Sequence, residues 1–290
     1  MHLEQWRQLG RPVDFRGHDI ALYEGGRKDR PVVLLIHGFP TAAWDWNRVW
    51  PALSEDYRLL APDLIGYGFS AKPRDYPYSI AAQADLCEAI LDDAGVSRFH
   101  VLAHDYGDTV AQELLARHIE SKRPDGLRSL CLLNGGLFPE RHRPRVIQTL
   151  LASPLGPLLA RLTGKKRALE SLCAVFGPES RPNIDEQEIL WKLMDANRGR
   201  RVMPKLLGYL RERELNRERW VGALTASPVP LLFINGLLDP VSGAHMADRW
   251  RELLPDARIE TLPRIGHYPQ LEDPDSVLVA CLPFFSSIAD

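Results

Sequence analysis

The sequence predicts an α/β fold in which a mostly parallel central sheet is flanked by helices and interrupted by an inserted helical cap. Three observations predict it. Short apolar runs bounded by turn residues recur along the chain, helical patterns separate them, and this alternation stops at Asn134-Gly135-Gly136 and resumes only after 221. Continuous apolar runs suit strands buried on both faces of a parallel sheet.

Taken in order, RPVDFRGHDIALYEGG reads as an antiparallel hairpin turning at Gly17, at one edge of the sheet. The runs PVVLLIHG (31–38), YRLLAPD (57–63), RFHVLAHD (98–105) and LRSLCLLNGG (127–136) are the next strand candidates. Between them, SIAAQADLCEAILDDAG (79–95) begins at a Ser cap and stops at Gly95, and DTVAQELLARHIE (108–120) follows a strand directly. Residues 137–221 are rich in Leu, Arg and Pro with helical periodicity and no buried strand, so they read as a cap. The strand PVPLLFING (228–236), the helix HMADRWRELL, the strand ARIETLP and a helix after Pro274 then complete the first domain. The core domain is therefore 1–136 with 222–290, and the cap is 137–221.

Composition limits the function. Of 290 residues, 45% are hydrophobic and 26% charged, a globular balance with material for a large core. With 36 Lys and Arg against 38 Asp and Glu, the net charge of -2 gives no reason to expect nucleic acid or an anionic membrane as main partner. A small hydrophobic molecule and water fit better. Cys87, Cys131, Cys173 and Cys281 form no CxxC or metal-ligand cluster, so a reducing cytoplasm is expected. The first residues lack an apolar leader and no run approaches ~18 uninterrupted apolar residues, so no membrane insertion is expected. The sequence assigns no oligomeric state.

The chemistry-bearing residues lie at predicted strand ends. RFHVLA runs into His104-Asp105-Tyr106-Gly107-Asp108 and then into a helix, the context of a strand-turn-helix nucleophile elbow with Asp105 at its tip. Alone, this pentapeptide is equally a solvated carboxylate at a strand end. Asp239, in NGLLDP after the PLLFING strand, supplies a carboxylate to orient an imidazole, and His267, in RIGHYP, supplies the imidazole. A lone loop histidine is usually a surface residue, but the chain order nucleophile, acid, histidine is that of an α/β-hydrolase. In His37-Gly38-Phe39-Pro40 a tight turn after a strand can present the Phe39 N–H, which with the Tyr106 N–H would form an oxyanion hole. His100 and His104 share a strand face, yet no carboxylate or cysteine completes a ligand set, so neither metal nor cofactor is expected. The stretch RERELNRER (211–219) reads as a solvated cap-helix face.

HGFP, GYGFS (66–70) and HDYG resemble the oxyanion, GYGxS and aspartate-elbow motifs of the epoxide hydrolase and haloalkane dehalogenase branch of the α/β-hydrolases. HGFPTAAWDW, HDYGDTVAQELL, LCLLNGGLFPERHRP, RWVGAL and HYPQLEDP resemble the mesoderm-specific transcript protein family more closely. The first resemblance implies a two-step reaction: Asp105 attacks an sp³ carbon to give an ester, then His267, oriented by Asp239, activates the water that hydrolyses it. For epoxides it implies cap tyrosines as proton donors. LLGYLR resembles the helix bearing one of them, and Tyr209 is the only tyrosine between 137 and 221, so His142 or another group must stand in for the second. A dehalogenase instead needs N–H donors around the halide, for which Trp44, Trp46 and Trp191 are the available indoles. His37, Trp44, His104 and Trp191 are placed with the substrate-binding residues. A non-enzymatic ligand-binding or signalling protein is the alternative of another class.

Overall fold

The computed structural model describes residues 1–121 and 126–288. Its strands are β1 (Gly10–Phe15), β2 (His18–Gly25), β3 (Val32–Ile36), β4 (Arg58–Pro62), β5 (Phe99–His104), β6 (Leu127–Leu133), β7 (Leu231–Gly236) and β8 (Arg258–Leu262). They form one sheet in the order β1-β2-β4-β3-β5-β6-β7-β8. The β1–β2 hairpin and the β2–β4 pair are antiparallel, and every other pairing is parallel. Each predicted strand is present, and the hairpin turns at Gly17 with φ of 80°, a left-handed conformation that suits glycine.

Side chains alternate between the two faces, and both faces are buried. Leu34, Ile36, Val101, Ala103, Leu130 and Leu132 belong to the core on one side. Val33, Leu35, Leu102, Cys131, Leu133 and Leu232 belong to the core on the other. This two-sided burial is why the strands read as unbroken apolar runs.

The predicted helices are present with small shifts at their ends. Ile80–Asp93 is capped by Ser79, whose hydroxyl accepts the Ala82 N–H at 3.1 Å, and the chain leaves it through Gly95 at φ of 65°. Tyr106–Ser121 starts two residues earlier than expected, directly after Asp105. The sequence reading left out three short helices of the core, Leu3–Gln8, Trp50–Asp56 and Pro269–Glu272, which are too brief for a periodic signal. The chain between β6 and β7 carries only helices, from Val146–Leu151 to Arg217–Thr225. Among the described residues, no helix is long and apolar enough to cross a membrane.

One packing constraint fixes how closely Tyr106–Ser121 approaches the sheet. A methyl group on Gly107 would overlap the carbonyl oxygens of Ile36 and His37 at the end of β3. Gly107→Ala is therefore expected to destabilise the protein by about 2–3 kcal/mol, because backbone on both sides must shift. Urea unfolding checks this: a lower midpoint at unchanged slope is the expected result.

Candidate active site

Four strand ends and one loop bring the predicted residues together. Asp105 follows β5 at φ of 49°, a left-handed conformation that L-residues rarely adopt and that costs roughly 1–3 kcal/mol. Its N–H donates to Leu133 O at 3.1 Å, which ties the turn to β6. The Phe39 N–H donates to Asp105 Oδ2 at 3.0 Å. The other oxygen, Oδ1, lies 4.0 Å from His267 Nε2 and 3.8 Å from an Arg213 nitrogen. The two oxygens of one carboxylate thus have different neighbours: a backbone donor for Oδ2, two cationic side chains for Oδ1.

His267 and Asp239 form the tightest pair in the site. His267 Nδ1–H donates to Asp239 Oδ2 at 2.7 Å. Asp239 also accepts from Ser242 Oγ at 2.7 Å, Asn134 Nδ2 at 3.0 Å and the Val241 N–H at 2.7 Å. Burial works against the Asp239 carboxylate, but His267 and these donors outweigh it and hold its pKa at about 2. Burial likewise opposes charge on His267, yet the adjacent Asp239, with help from Asp105 and Glu272, pushes its pKa up to about 9.

The loop that carries His267 is fastened to the helical insertion. The His267 N–H donates to Val175 O at 2.9 Å. The Glu272 carboxylate accepts from Gly177 N at 2.7 Å, Ser180 Oγ at 2.5 Å, Gly266 N at 2.9 Å and Tyr268 N at 2.8 Å. Phe176 stacks on Tyr268 with centroids 4.7 Å apart.

Three of the expected substrate-binding residues have protein partners of their own in the structure. His37 has both ring nitrogens engaged: Nδ1–H donates to Gly38 O at 2.9 Å and Nε2 accepts the Leu64 N–H at 3.0 Å. Burial lowers its pKa to about 4, so it is a neutral staple between two loops. His104 lies behind His267 and donates from Nε2 to His267 O at 2.7 Å, bracing the backbone of that loop. The Trp44 indole N–H donates to Met1 O at 3.3 Å, and its ring borders a separate depression with Arg48 and Phe176. Trp191 does reach the candidate pocket, an apolar cavity of about 110 Å³ that it lines with Phe39, His267, Leu172 and Met194.

Sequence reasoning missed Arg213, which the run RERELNRER disguised as part of a solvated face. Its side chain is 2% exposed. Nε donates to Thr109 Oγ1 at 2.7 Å and a terminal nitrogen donates to Asp105 O at 3.0 Å. Its other terminal nitrogen has no hydrogen-bond partner among the described residues, and neither ring nitrogen of His142 has one. Both groups close on Gly136, where a methyl would overlap the guanidinium. Burial, then Arg213, lowers the His142 pKa to about 3. Tyr209 lies with its ring 4.5 Å under the guanidinium and 5.0 Å from the Tyr106 ring. The Tyr209 hydroxyl is buried without a partner among the described residues, and burial, then Asp105, pushes its pKa up. Tyr106 contributes its buried ring and opens the helix, where first-turn N–H groups have no intrahelical acceptor. Among the described residues no cluster of His, Cys, Asp or Glu is arranged to hold a metal.

A family model described as the alpha/beta hydrolase fold matches residues 31–274. The mesoderm-specific transcript homolog protein of Bos taurus is 41% identical over 295 residues, spanning 98% of this chain and 88% of that protein. A putative hydrolase, LipZ, of Mycobacterium tuberculosis is 37% identical over 280 residues, spanning 97% and 96% of the two chains. Among solved structures, haloalkane dehalogenase DbeA from Bradyrhizobium elkani has a TM-score of 0.79 at 24% identity, with 96% of this chain and 97% of that chain covered. At that identity the likeness is one of fold.

The raised pKa of His267 has a direct consequence. The stabilisation that its charged form contributes is fully present below 6.5 and is lost as pH rises through about 9. In Asp239→Asn the main opposing charge is gone, so burial dominates and the His267 pKa falls below 6.5, as read by NMR titration of the ring protons. A value still near 9 would assign the effect to Asp105 instead.

Proposed function

The chain belongs to the α/β-hydrolase family, and from that premise we propose that it hydrolyses small hydrophobic electrophiles through an ester on Asp105, converting epoxides to diols. A carboxylate suits the first step because it needs no base to act as a nucleophile at neutral pH. The observation that carries the epoxide reading is the Tyr209 hydroxyl, buried without a partner among the described residues, within reach of the Asp105 charge and on a ring that lies under a guanidinium. Opening an epoxide creates an alkoxide, and a buried phenol that stays protonated is the group to meet it.

In this reading Asp105 Oδ1 attacks one epoxide carbon, the C–O bond breaks, and the alkoxide takes the Tyr209 proton. Arg213 stabilises the resulting phenolate, and with His142 takes the place of a second cap tyrosine. Ester formation removes the charge on Asp105 that helps hold a proton on His267. That proton passes to the Tyr209 phenolate, and the neutral imidazole accepts one from a water attacking Asp105 Cγ. Negative charge develops on Oδ2, where the Phe39 N–H already points, with the Tyr106 N–H as the second donor. Collapse breaks the Cγ–Oδ1 bond, the proton of the added hydroxyl passes to the departing diol oxygen, and the carboxylate is regenerated beside a His267 that is again protonated. The helical insertion, 137–221, acts as the cap and sets which substrate fits against Leu172, Trp191 and Met194.

Dehalogenation is a second reading, favoured by one observation. A buried cation 3.8 Å from Asp105 Oδ1 can hold a departing halide as well as an alkoxide. Against it, the Trp44 N–H is engaged with Met1 O and the residue after Asp105 is Tyr106.

Intact-protein mass spectrometry of His267→Gln, incubated with terminal and aryl epoxides, haloalkanes and haloacetates, separates the readings. The expected result is the mass of a whole epoxide added to Asp105. Tyr209→Phe should slow that adduct roughly a hundredfold, the usual value of a positioned proton donor. An alkyl or carboxymethyl adduct with halide release, insensitive to Tyr209, would replace epoxides by halides. Absence of any adduct together with an inactive wild type would overturn the enzyme reading in favour of ligand binding.

A further inference from the structure

The helical insertion begins with a surface unlike the rest of the molecule. Val146, Leu150, Leu155, Leu158 and Leu162 are each between 47% and 76% exposed. They lie on or at the start of two neighbouring short helices, Val146–Leu151 and Gly156–Leu162. Val146 and Leu150 are four apart, and Leu155, Leu158 and Leu162 follow at three and four, so each set forms a stripe on one helix face. The opposite sides of the same helices supply the buried Leu151 and Ala160, which line the apolar pocket with Ile147. The outward stripes have no apolar partner of their own.

Charge along this stretch of the sequence is one-sided, although Arg141, Lys165 and Lys166 pair with Glu252, Glu188 and Glu170. From 141 to 169 the chain carries seven Arg and Lys residues and no Asp or Glu. Arg143, Arg161 and Arg167 are exposed and form no ion pair among the described residues. Short helices with exposed leucines, flanked by basic residues without acids, have the composition of segments that lie in a lipid interface. Both helices are far too short to span a bilayer.

We propose that this helix pair docks the protein peripherally on an anionic lipid bilayer, leucines in the headgroup boundary and arginines on lipid phosphates. The position of the pocket supports that occupant. Arg145, Ile147 and Ser171 line both the cavity beside His267 and a surface depression bordered by Val146 and Leu150. A molecule dissolved in the bilayer therefore meets the cavity without crossing water. Docking stands on exposure and charge alone, so it holds whether the chemistry at Asp105 acts on epoxides, on halides or on neither.

The test is vesicle flotation of the full chain with phosphatidylcholine alone and with phosphatidylcholine containing phosphatidylglycerol. Wild type should float with the anionic vesicles, less so as salt rises, and stay behind with the neutral ones. Arg161→Gln and Arg167→Gln should each reduce partitioning roughly fivefold. Leu158→Asp with Leu162→Asp should abolish flotation while circular dichroism and epoxide turnover in detergent-free buffer stay unchanged. Wild type that does not float, or variants that float equally well, would overturn the proposal. A wild-type dimer that the Leu158→Asp, Leu162→Asp variant converts to monomer by light scattering would reassign the face to a second copy of the chain.

Discussion

The site depends on holding one aspartate in a backbone conformation it does not favour. Asp105 turns through the left-handed region so that β5 can end and Tyr106–Ser121 begin with no intervening loop. A cost of roughly 1–3 kcal/mol is offset by fixed partners: Leu133 O for the amide, Arg213 for the carbonyl, and the Phe39 N–H for Oδ2. Position 38 is a glycine for the same reason, since a side chain there would meet His104 and Asp105. The turn therefore aims the carboxylate by backbone geometry, and the surrounding loops close on it.

Electrostatic balance follows from that placement. Two carboxylates, Asp105 and Asp239, face two cations, His267 and Arg213, in a region largely shut off from water. Asp108 lies close by, and burial followed by the charge of Asp105 raises its pKa well above the ordinary carboxylate range, which opposes a third negative charge there. Buried charges are tolerated when each is matched and hydrogen-bonded. Asp63 gives the same organisation to the neighbouring loops: its carboxylate accepts from Ala43 N at 2.8 Å and Phe69 N at 2.7 Å, although burial lifts its pKa to about 6.

Much of this was legible in the sequence, for identifiable reasons. Strands buried on both faces must be apolar throughout, so β3, β5, β6 and β7 stood out as runs. Asp105, Asp239 and His267 stood out because each follows such a run or sits in a short bounded loop, and strand ends are where a parallel sheet presents its chemistry. The hydrogen bonds of His37 and His104 were not legible, because their partners, Leu64 N and His267 O, are distant in sequence and belong to backbone. Arg213 was hidden for the opposite reason: its helix is charged on most sides, and only tertiary packing distinguishes the one residue that turns inward. The net charge of the whole chain likewise conceals that residues 141–169 carry basic but no acidic side chains.

The fastening of the His267 loop through Glu272 has a consequence for how this architecture can be altered. Four donors from two parts of the chain converge on one carboxylate, two from the insertion and two from the segment that precedes and follows the imidazole. The His267 loop and residues 175–180 are accordingly a single mechanical unit that straddles the boundary drawn by chain topology. A foreign helical insertion grafted between β6 and β7 would displace the imidazole unless it supplied its own segment in the same register. Residues 175–180 therefore stay with the His267 loop in any exchange of the insertion.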